Sequence, residues 1–259
     1  MLKTPCHIVS DLHLGVASPK TERLFEAYLE AIRGNVKSLV INGDLFDFWF
    51  EWKSVIPRRG FRTLAGLASL RDSGAEIVYV AGNHDCWGGN VLRDDVGVQY
   101  EMGPWEGDIG TWRVRVEHGD GLREREDRKY WMVRPIMRSP LAIAMFRRLH
   151  PDWATRLATG SSNASRTYSA RDGGAGLRAI ALRQLASHPS LDVIVYGHSH
   201  VAALEKATSG QVFANAGSWL DAPTYIEITD SAIELRKWGE SAQGDRLDIV
   251  DCRAEEPLP

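Results

Sequence analysis

The chain has little cysteine: three residues, Cys6, Cys86 and Cys252, in 259. None are in CxxC spacing, which argues against a disulfide framework and against a zinc–thiolate site. No apolar run approaches the length of a membrane span, and no charged-then-apolar leader opens the sequence. A cytoplasmic location is therefore the expectation. Net charge is only −3, so nothing suggests a global attraction to nucleic acid. There is no internal repeat and no low-complexity segment.

The length suits one large domain, and the 44% hydrophobic content suits a sizeable core. Charge is unevenly spread. Between Arg123 and Arg171 there are 11 basic and 4 acidic residues, so the remainder carries about −10. Much of that negative charge falls in short polar segments, and such clusters call for cations.

Those segments share a design, an apolar run followed by a polar turn. His7-Ile8-Val9 leads to Asp11-x-His13. Leu39-Val40-Ile41 leads to Gly43-Asp44-Leu45-Phe46-Asp47. Ile77 to Val80 leads to Gly82-Asn83-His84-Asp85. Val114 to Glu117 leads to His118-Gly119-Asp120, and Val193 to Tyr196 leads to Gly197-His198-Ser199-His200. Five of the eight histidines fall in the polar turns themselves. For any one segment a polar turn is the simpler reading; five in order exceed coincidence. Asp11 and His13, two apart, would share a face if they lay on a strand.

Helical spacing of Leu24, Phe25, Tyr28, Leu29 and Ile32 predicts a helix from Glu22 to Arg33. Phe61 to Arg71 and Ala175 to Ser187 predict two more. With strands at Lys37–Ile41 and Glu76–Val80, the order argues for a parallel sheet whose carboxyl ends collect the ligand. Alternating runs in Val98–Glu117 and Val212–Trp238 predict antiparallel strands in a second, packed sheet. Beyond Glu240 the chain reads as a polar tail. An insertion at about 122–171 is rich in Trp, Met, Phe and Arg. Pro135, Pro140 and Pro151 should break it into short helices. Its run Leu141 to Phe146 is more apolar than a solvated loop needs, so we expect a helical cap over the site, with the whole of 1–259 as a single domain.

Asp, Asn and His donors without thiolate suit borderline or hard divalent ions. Seven candidate ligands are too many for one ion and suit two, roughly 3.5–4 Å apart, sharing a carboxylate, for which Asp44 is the natural choice.

The series Asp-x-His, Gly-Asp-x-x-Asp, Gly-Asn-His-Asp, His-Gly-Asp and Gly-His-x-His resembles the calcineurin-like metallophosphoesterase superfamily, over positions 10 to 200. The resemblance implies a four-layer α-β-β-α sandwich of the α/β class and a dinuclear centre; from the donor set, manganese is the expected ion, with iron or zinc as alternatives. It implies that Asp11, His13, Asp44 and His200 hold one metal, and that Asp44, Asn83, His118 and His198 hold the other. It also implies that His84 serves the leaving group, oriented by Asp47. Within the superfamily the chain is most similar to UDP-2,3-diacylglucosamine pyrophosphatases of lipid A biosynthesis. The run Asp44 to Trp49, the Asp127-x-x-Tyr130 at the start of the insertion, and Gly217-Ser218-Trp219 carry that likeness. It implies substrate contacts at Asp127 and Tyr130 and a lid for acyl chains.

Arg134, Arg138 and Arg166 are candidates for phosphate or lipid headgroups, with Arg134 and Arg166 the expected substrate-binding residues. The implied partner is a nucleotide-linked lipid, met in peripheral contact with the cytoplasmic face of the inner membrane, with no nucleic acid and no obligate protein partner. Two departures stand out: His84 occupies a place usually held by arginine, and Val201-Ala202 follows the last histidine where Arg-Pro is usual. Histidine can protonate a poor alkoxide leaving group. A general or nucleotide phosphodiesterase acting on a soluble substrate is thus the alternative, and a non-catalytic scaffold is a third reading, disfavoured by the complete ligand set.

Overall fold

Two β-sheets, each covered on its outer face by helices, make up the computed structural model, which describes residues 1–158, 172–239 and 244–251. The chain opens with β1 (Cys6–Val9), α1 (Pro19–Ile32), β2 (Ser38–Asn42), α2 (Phe61–Asp72) and β3 (Glu76–Val80). A π-helical turn (Val91–Asp95) leads to β4 (Gln99–Glu101), then β5 (Trp105–Ile109) and β6 (Trp112–Val116). The cap contributes α3 (Arg128–Met137), α4 (Pro140–Phe146) and α5 over 151–158. After it come α6 (Ala175–Ser187), β7 (Val193–Tyr196), β8 (Ala203–Lys206), β9 (Val212–Asn215), β10 (Thr224–Ile228), β11 (Ala232–Lys237) and β12 (Asp245–Asp251).

The first sheet runs β12-β11-β10-β1-β2-β3-β4 and the second β5-β6-β7-β9-β8. Strands β1 to β4 are mutually parallel, as are β6, β7 and β9. The layers follow from alternation along each strand. Ile8, Val40, Val78 and Ile226 pack with Val114, Val116, Val193 and Val195 in an apolar interior between the sheets. On the other face of the first sheet, Val9, Leu39, Ile41 and Tyr79 meet Phe25, Tyr28, Leu64 and Leu67 of α1 and α2. Leu177, Ala181 and Leu185 of α6 cover Ile194, Tyr196 and Phe213. The result is the four-layer α-β-β-α sandwich that the motifs implied.

Helix α1 begins a turn earlier than its apolar stripe, because Ser18 caps it by accepting from the Thr21 N–H and Pro19 suits the first turn. Three further expectations are corrected. Strand β4 pairs parallel with β3 in the first sheet, not antiparallel in the second. Strands β10 and β11 also join the first sheet, antiparallel beside β1. Tyr225 lies in the helix-facing core and Ile226 and Ile228 in the inter-sheet core, so β10 is buried on both faces and takes an interior position. Residues 244–251 of the expected polar tail are ordered: β12 forms the edge strand on β11, with Val250 packed against the inter-sheet core.

In the cap, Pro140 opens α4 behind the Ser139 cap and Pro151 opens α5, but Pro135 lies inside α3 rather than ending it. The cap is pinned to the body at Phe146, which packs with Phe50 at 5.0 Å and Trp87 at 5.1 Å between ring centroids. The Trp87 indole also donates to the Met137 carbonyl at 2.7 Å.

Helix α2 offers a direct test of this layering. Leu67 is 0% exposed and Phe61, one and a half turns earlier, is 67% exposed. Leu67→Ala should cost about 2–5 kcal/mol in chemical denaturation, whereas Phe61→Ala should stay within about 0.5 kcal/mol of the parent. Equal losses would contradict the assignment of α2 to the outer layer.

Candidate metal centre

Every one of the five polar turns follows the carboxyl end of a parallel strand: β1, β2 and β3 in one sheet, β6 and β7 in the other. The two sheets therefore deliver their turns to a common edge. Hydrogen bonds lace the turns together. The Asp11 and His13 N–H groups donate to the Gly43 and Asp44 carbonyls, Gly197 N–H to the His118 carbonyl, and Asn42 Nδ2 to the Glu117 carbonyl across the sheets.

Asp11 and His13 do not share the face of a strand, as their spacing suggested. Strand β1 ends at Val9, and both residues are left-handed, with φ of 54° and 47°. Asp44, His198 and His200 are left-handed as well, at 52°, 59° and 62°. Outside glycine such backbone costs on the order of 1–3 kcal/mol per residue and persists only where the surroundings over-determine it. Here the inter-turn hydrogen bonds supply that constraint. Glycine fills the tightest approach: a Cβ on Gly82 would stand 2.2 Å from Asp44 Oδ1 and 2.7 Å from the Asp44 nitrogen.

The two carboxylates divide their oxygens in the same way. Asp11 Oδ2 accepts from Ser10 Oγ at 2.6 Å and from the His198 N–H at 3.0 Å, while Oδ1 lies 3.3 Å from His200 Nε2. Asp44 Oδ1 accepts from the His84 N–H at 2.9 Å, while Oδ2 lies 3.2 Å from His118 Nε2, 3.8 Å from His13 Nε2 and 3.9 Å from His84 Nε2. Ligand atoms of Asp11, His13 and His200, and separately of Asp44, His118 and His198, lie within 4.8 Å of one another. The structure thus brings six of the seven predicted ligands into two adjoining groups, with Asp44 Oδ2 facing both. The seventh, Asn83, is buried in the turn after β3.

Burial alone would raise the pKa of these carboxyls and depress those of the imidazoles. For Asp44 the burial penalty is overcome by His118, His84 and His13, which hold it well below the usual range; for Asp11, His200 and His118 bring it to about 2. Conversely Asp44 and Asp11 raise His118 well above its ordinary value against the burial penalty. The carboxylates remain anionic and draw positive charge into the interior. A donor set of carboxylate, amide and imidazole suits divalent cations. Asp11 Oδ1, Asn83 Oδ1 and His118 Nε2 are buried and lack a well-directed hydrogen bond among the described residues. His13 and His200 turn their Nε2 atoms to each other at 3.3 Å. These residues fit a pair of metal ions.

His84 lies at the rim of this cluster. Its Nδ1–H donates to the Asp47 backbone carbonyl at 2.9 Å, and the Asp47 carboxylate stands 3.7 Å from the same nitrogen and 3.6 Å from His13 Nδ1. His118 donates from Nδ1 to the Asn42 carbonyl at 2.9 Å, which leaves Nε2 for the cluster.

The cap residues divide. Tyr130 turns its hydroxyl to Asp120, and burial together with that carboxylate pushes its pKa up. Arg134 lies against Gly121, three residues past His118. Asp127 is placed differently from the expected substrate contact: it is 4% exposed, and Arg123, His198 and the Gly121 and Arg123 backbone N–H groups surround its carboxylate. Burial opposes its ionisation, but His198 and Arg123 hold it low. Arg166 lies outside the described residues.

Sequence reasoning missed the supports. Asp85 accepts from the Leu45 and Gly82 N–H groups and from the Tyr79 hydroxyl, tying the turn after β2 to the turn after β3. Burial, with the charge of Asp44, raises its pKa to about 6. Its place directly after His84 was the available signal. Glu51 accepts from the Trp49 indole and from the Gly89 and Val91 N–H groups, and no motif marked it.

A family model for calcineurin-like phosphoesterases matches residues 4–202. The chain is 33% identical to the UDP-2,3-diacylglucosamine hydrolase of Porphyromonas gingivalis, over 77% of this chain and 84% of that one. It is 26% identical to the Pseudomonas fluorescens protein of the same name, over 88% and 92%. Among solved structures, a Vps29 double mutant from Entamoeba histolytica aligns over 95% of this chain and 98% of that one, at 16% identity and a TM-score of 0.47.

Because a methyl group at Gly82 would collide with Asp44, Gly82→Ala should weaken binding of divalent metal at least tenfold in a titration. Gly103→Ala, where a Cβ meets nothing within 4 Å, should leave binding at the parental value. Equal metal binding by both variants would count against Asp44 as a ligand.

Proposed function

From the premise that this chain belongs to the calcineurin-like phosphoesterase family and is a metal-dependent hydrolase, we propose that it cleaves UDP-2,3-diacylglucosamine to UMP and 2,3-diacylglucosamine 1-phosphate. The position of Asp44 Oδ2, within 3.2 to 3.9 Å of His118, His13 and His84, carries the reading. Asp11, His13, Asp44 and His200 would hold one divalent ion and Asp44, Asn83, His118 and His198 the other. Manganese is the first choice and iron or zinc the alternatives. Such a pair supplies Lewis acidity and positive charge for attack on a phosphoryl group.

The chain's own groups do the rest. The Nδ1–H···O=C bond to Asp47 fixes the His84 ring with Nε2 on the side of Asp44 Oδ2, 3.9 Å away. From Nε2, His84 would donate a proton or a hydrogen bond to the departing oxygen. Tyr130 and Arg134, on the inner side of α3, are suited to the sugar and the phosphates.

The lipid half of the reading rests on the cap together with the named relatives. Trp131, Met132, Ile136, Leu141, Met145 and Trp153 are all exposed, a concentration of apolar surface that soluble proteins seldom leave bare. Acyl methylenes buried there contribute roughly 0.8 kcal/mol each, and unbranched methionines adapt to flexible chains. The basic excess of the insertion would favour an anionic membrane surface, each residue near it adding about 1 kcal/mol. Among the described residues no helix is long and apolar enough to cross a membrane, so contact with lipid would be peripheral. A soluble phosphodiester is the second reading, favoured by His84.

Metal content and rate should separate the roles. Asp44→Ala should lose both metal equivalents and nearly all turnover. His84→Ala should retain both and lose about 10²–10⁴-fold in rate, more for alkoxide than for aryl leaving groups. An active Asp44→Ala enzyme with two metals bound would sink the assignment.

The substrate is tested on the outer face of α4. Leu141 and Met145 are 71% and 63% exposed, one turn apart, whereas Phe146 anchors the cap. Placing Asp at both exposed positions should raise KM for the diacylated substrate about tenfold or more, with little change for UDP-glucosamine. If the parent enzyme shows no preference for the acylated compound, the soluble phosphodiesterase takes its place.

A further inference from the structure

At the mouth of the cap lies a charge that the reaction as proposed does not use. Arg123 is 3% exposed, and a guanidinium so deep requires anionic partners. It finds them on both stems of the insertion. Nη2 donates to Asp127 Oδ1 at 2.8 Å on the entry stem, and Nη1 donates to Asp172 Oδ1 at 3.3 Å on the exit stem. Asp172 in turn accepts from the Gly174 N–H at 3.0 Å and the Gly176 N–H at 2.9 Å, where α6 begins. Asp127 Oδ2 accepts from the Gly121 and Arg123 N–H groups, and its Oδ1 lies 3.4 Å from His198 Nε2. One chain of hydrogen bonds, buried at Arg123 and Asp127 and part-buried at Asp172, therefore runs from the start of α6, through Asp172, Arg123 and Asp127, to His198.

We propose that Arg123 is a positioning residue that clamps both stems of the cap to His198, so that the seating of the cap and the occupancy of the metal centre depend on each other. The inference rests on the metal-centre reading above. A carboxylate behind a metal-binding imidazole fixes its ring and raises its basicity. Asp127 holds that place, and Arg123 holds Asp127. Because coupling between two equilibria is reciprocal, metal that immobilises His198 also secures the stems, and a secured cap keeps His198 in place for metal. A buried ion pair that merely stabilised the fold would lack this dependence.

The test uses the full chain with added manganese, reading metal affinity by titration and cap order by hydrogen exchange of peptides covering α3 and α4. In the parent protein, metal should slow exchange in those peptides. In Arg123→Gln the weaker of two metal equivalents should bind about 10–100-fold less tightly, and added metal should no longer protect the cap. Arg123→Lys, which can keep one ion pair, should fall between, and Asp172→Asn carries the same test should the glutamine variant not fold. Parental metal affinity with parental metal-dependent protection in these variants would overturn the clamp, as would a loss of thermal stability with both couplings intact. Failure of the parent protein to bind manganese, iron or zinc would overturn the metal-centre reading and the clamp with it.

Discussion

Two buried carboxylates, Asp11 and Asp44, govern the layout of the molecule. Each gives one oxygen to the backbone of another turn and the other to imidazole nitrogens. Two such anions, buried a short distance apart, repel one another, and the compact state tolerates them only with concentrated positive charge nearby. His118 and His200, whose pKa values the two carboxylates raise, supply part of it. The sandwich is the frame that makes this crowding sustainable: a hydrophobic layer locks the two sheets together, and their parallel strands aim five turns at one edge. Strand order and site are thus parts of one solution, since no single strand end could assemble so many donors.

Much of this was legible in the chain. Each motif follows an apolar run, so the strands and the residues at their carboxyl ends could be read together, and the stripe Phe25, Tyr28, Leu29, Ile32 identified α1. What could not be read was pairing. Strand β10 looks like an ordinary alternating strand, and only burial on both faces, a property of its neighbours, explains its place beside β1. Strand β12 likewise draws its order from the ladder offered by β11. Local conformation was also hidden. The spacing of Asp11 and His13 suggested a strand, but tertiary hydrogen bonds hold both in a left-handed turn. Asp127 was visible as a motif residue, and Arg123 stands only four residues before it, while its partner His198 is brought to it only by the return of the chain from the insertion.

The cap illustrates how one segment can serve two environments. Its inner side is polar and tied to the body through Asp127, Arg123 and the Trp87–Met137 hydrogen bond, and Phe146 enters a cluster of rings. Its outer helices bury little: α4 has no fully buried residue. Such a segment contributes modestly to the stability of the body and draws its structure from a few anchors, which leaves the apolar side free to adapt to what it meets.

The left-handed turns carry a consequence for how this site can vary. Among residues with a side chain, Asn, Asp and His are the ones most often found at positive φ. Five of the candidate ligands lie there, and all five are Asp or His. Conformation and coordination therefore draw on the same short alphabet. Asparagine and glycine are the neutral neighbours within it, so a descendant relieved of its catalytic duty would be expected to drift toward Asn or Gly at these positions rather than toward Ala. Its turns would keep their shape after the charge had gone. A relative that retains the glycines and the turns but carries Asn or Gly at several of the five would be a retired enzyme still wearing the outline of the working one.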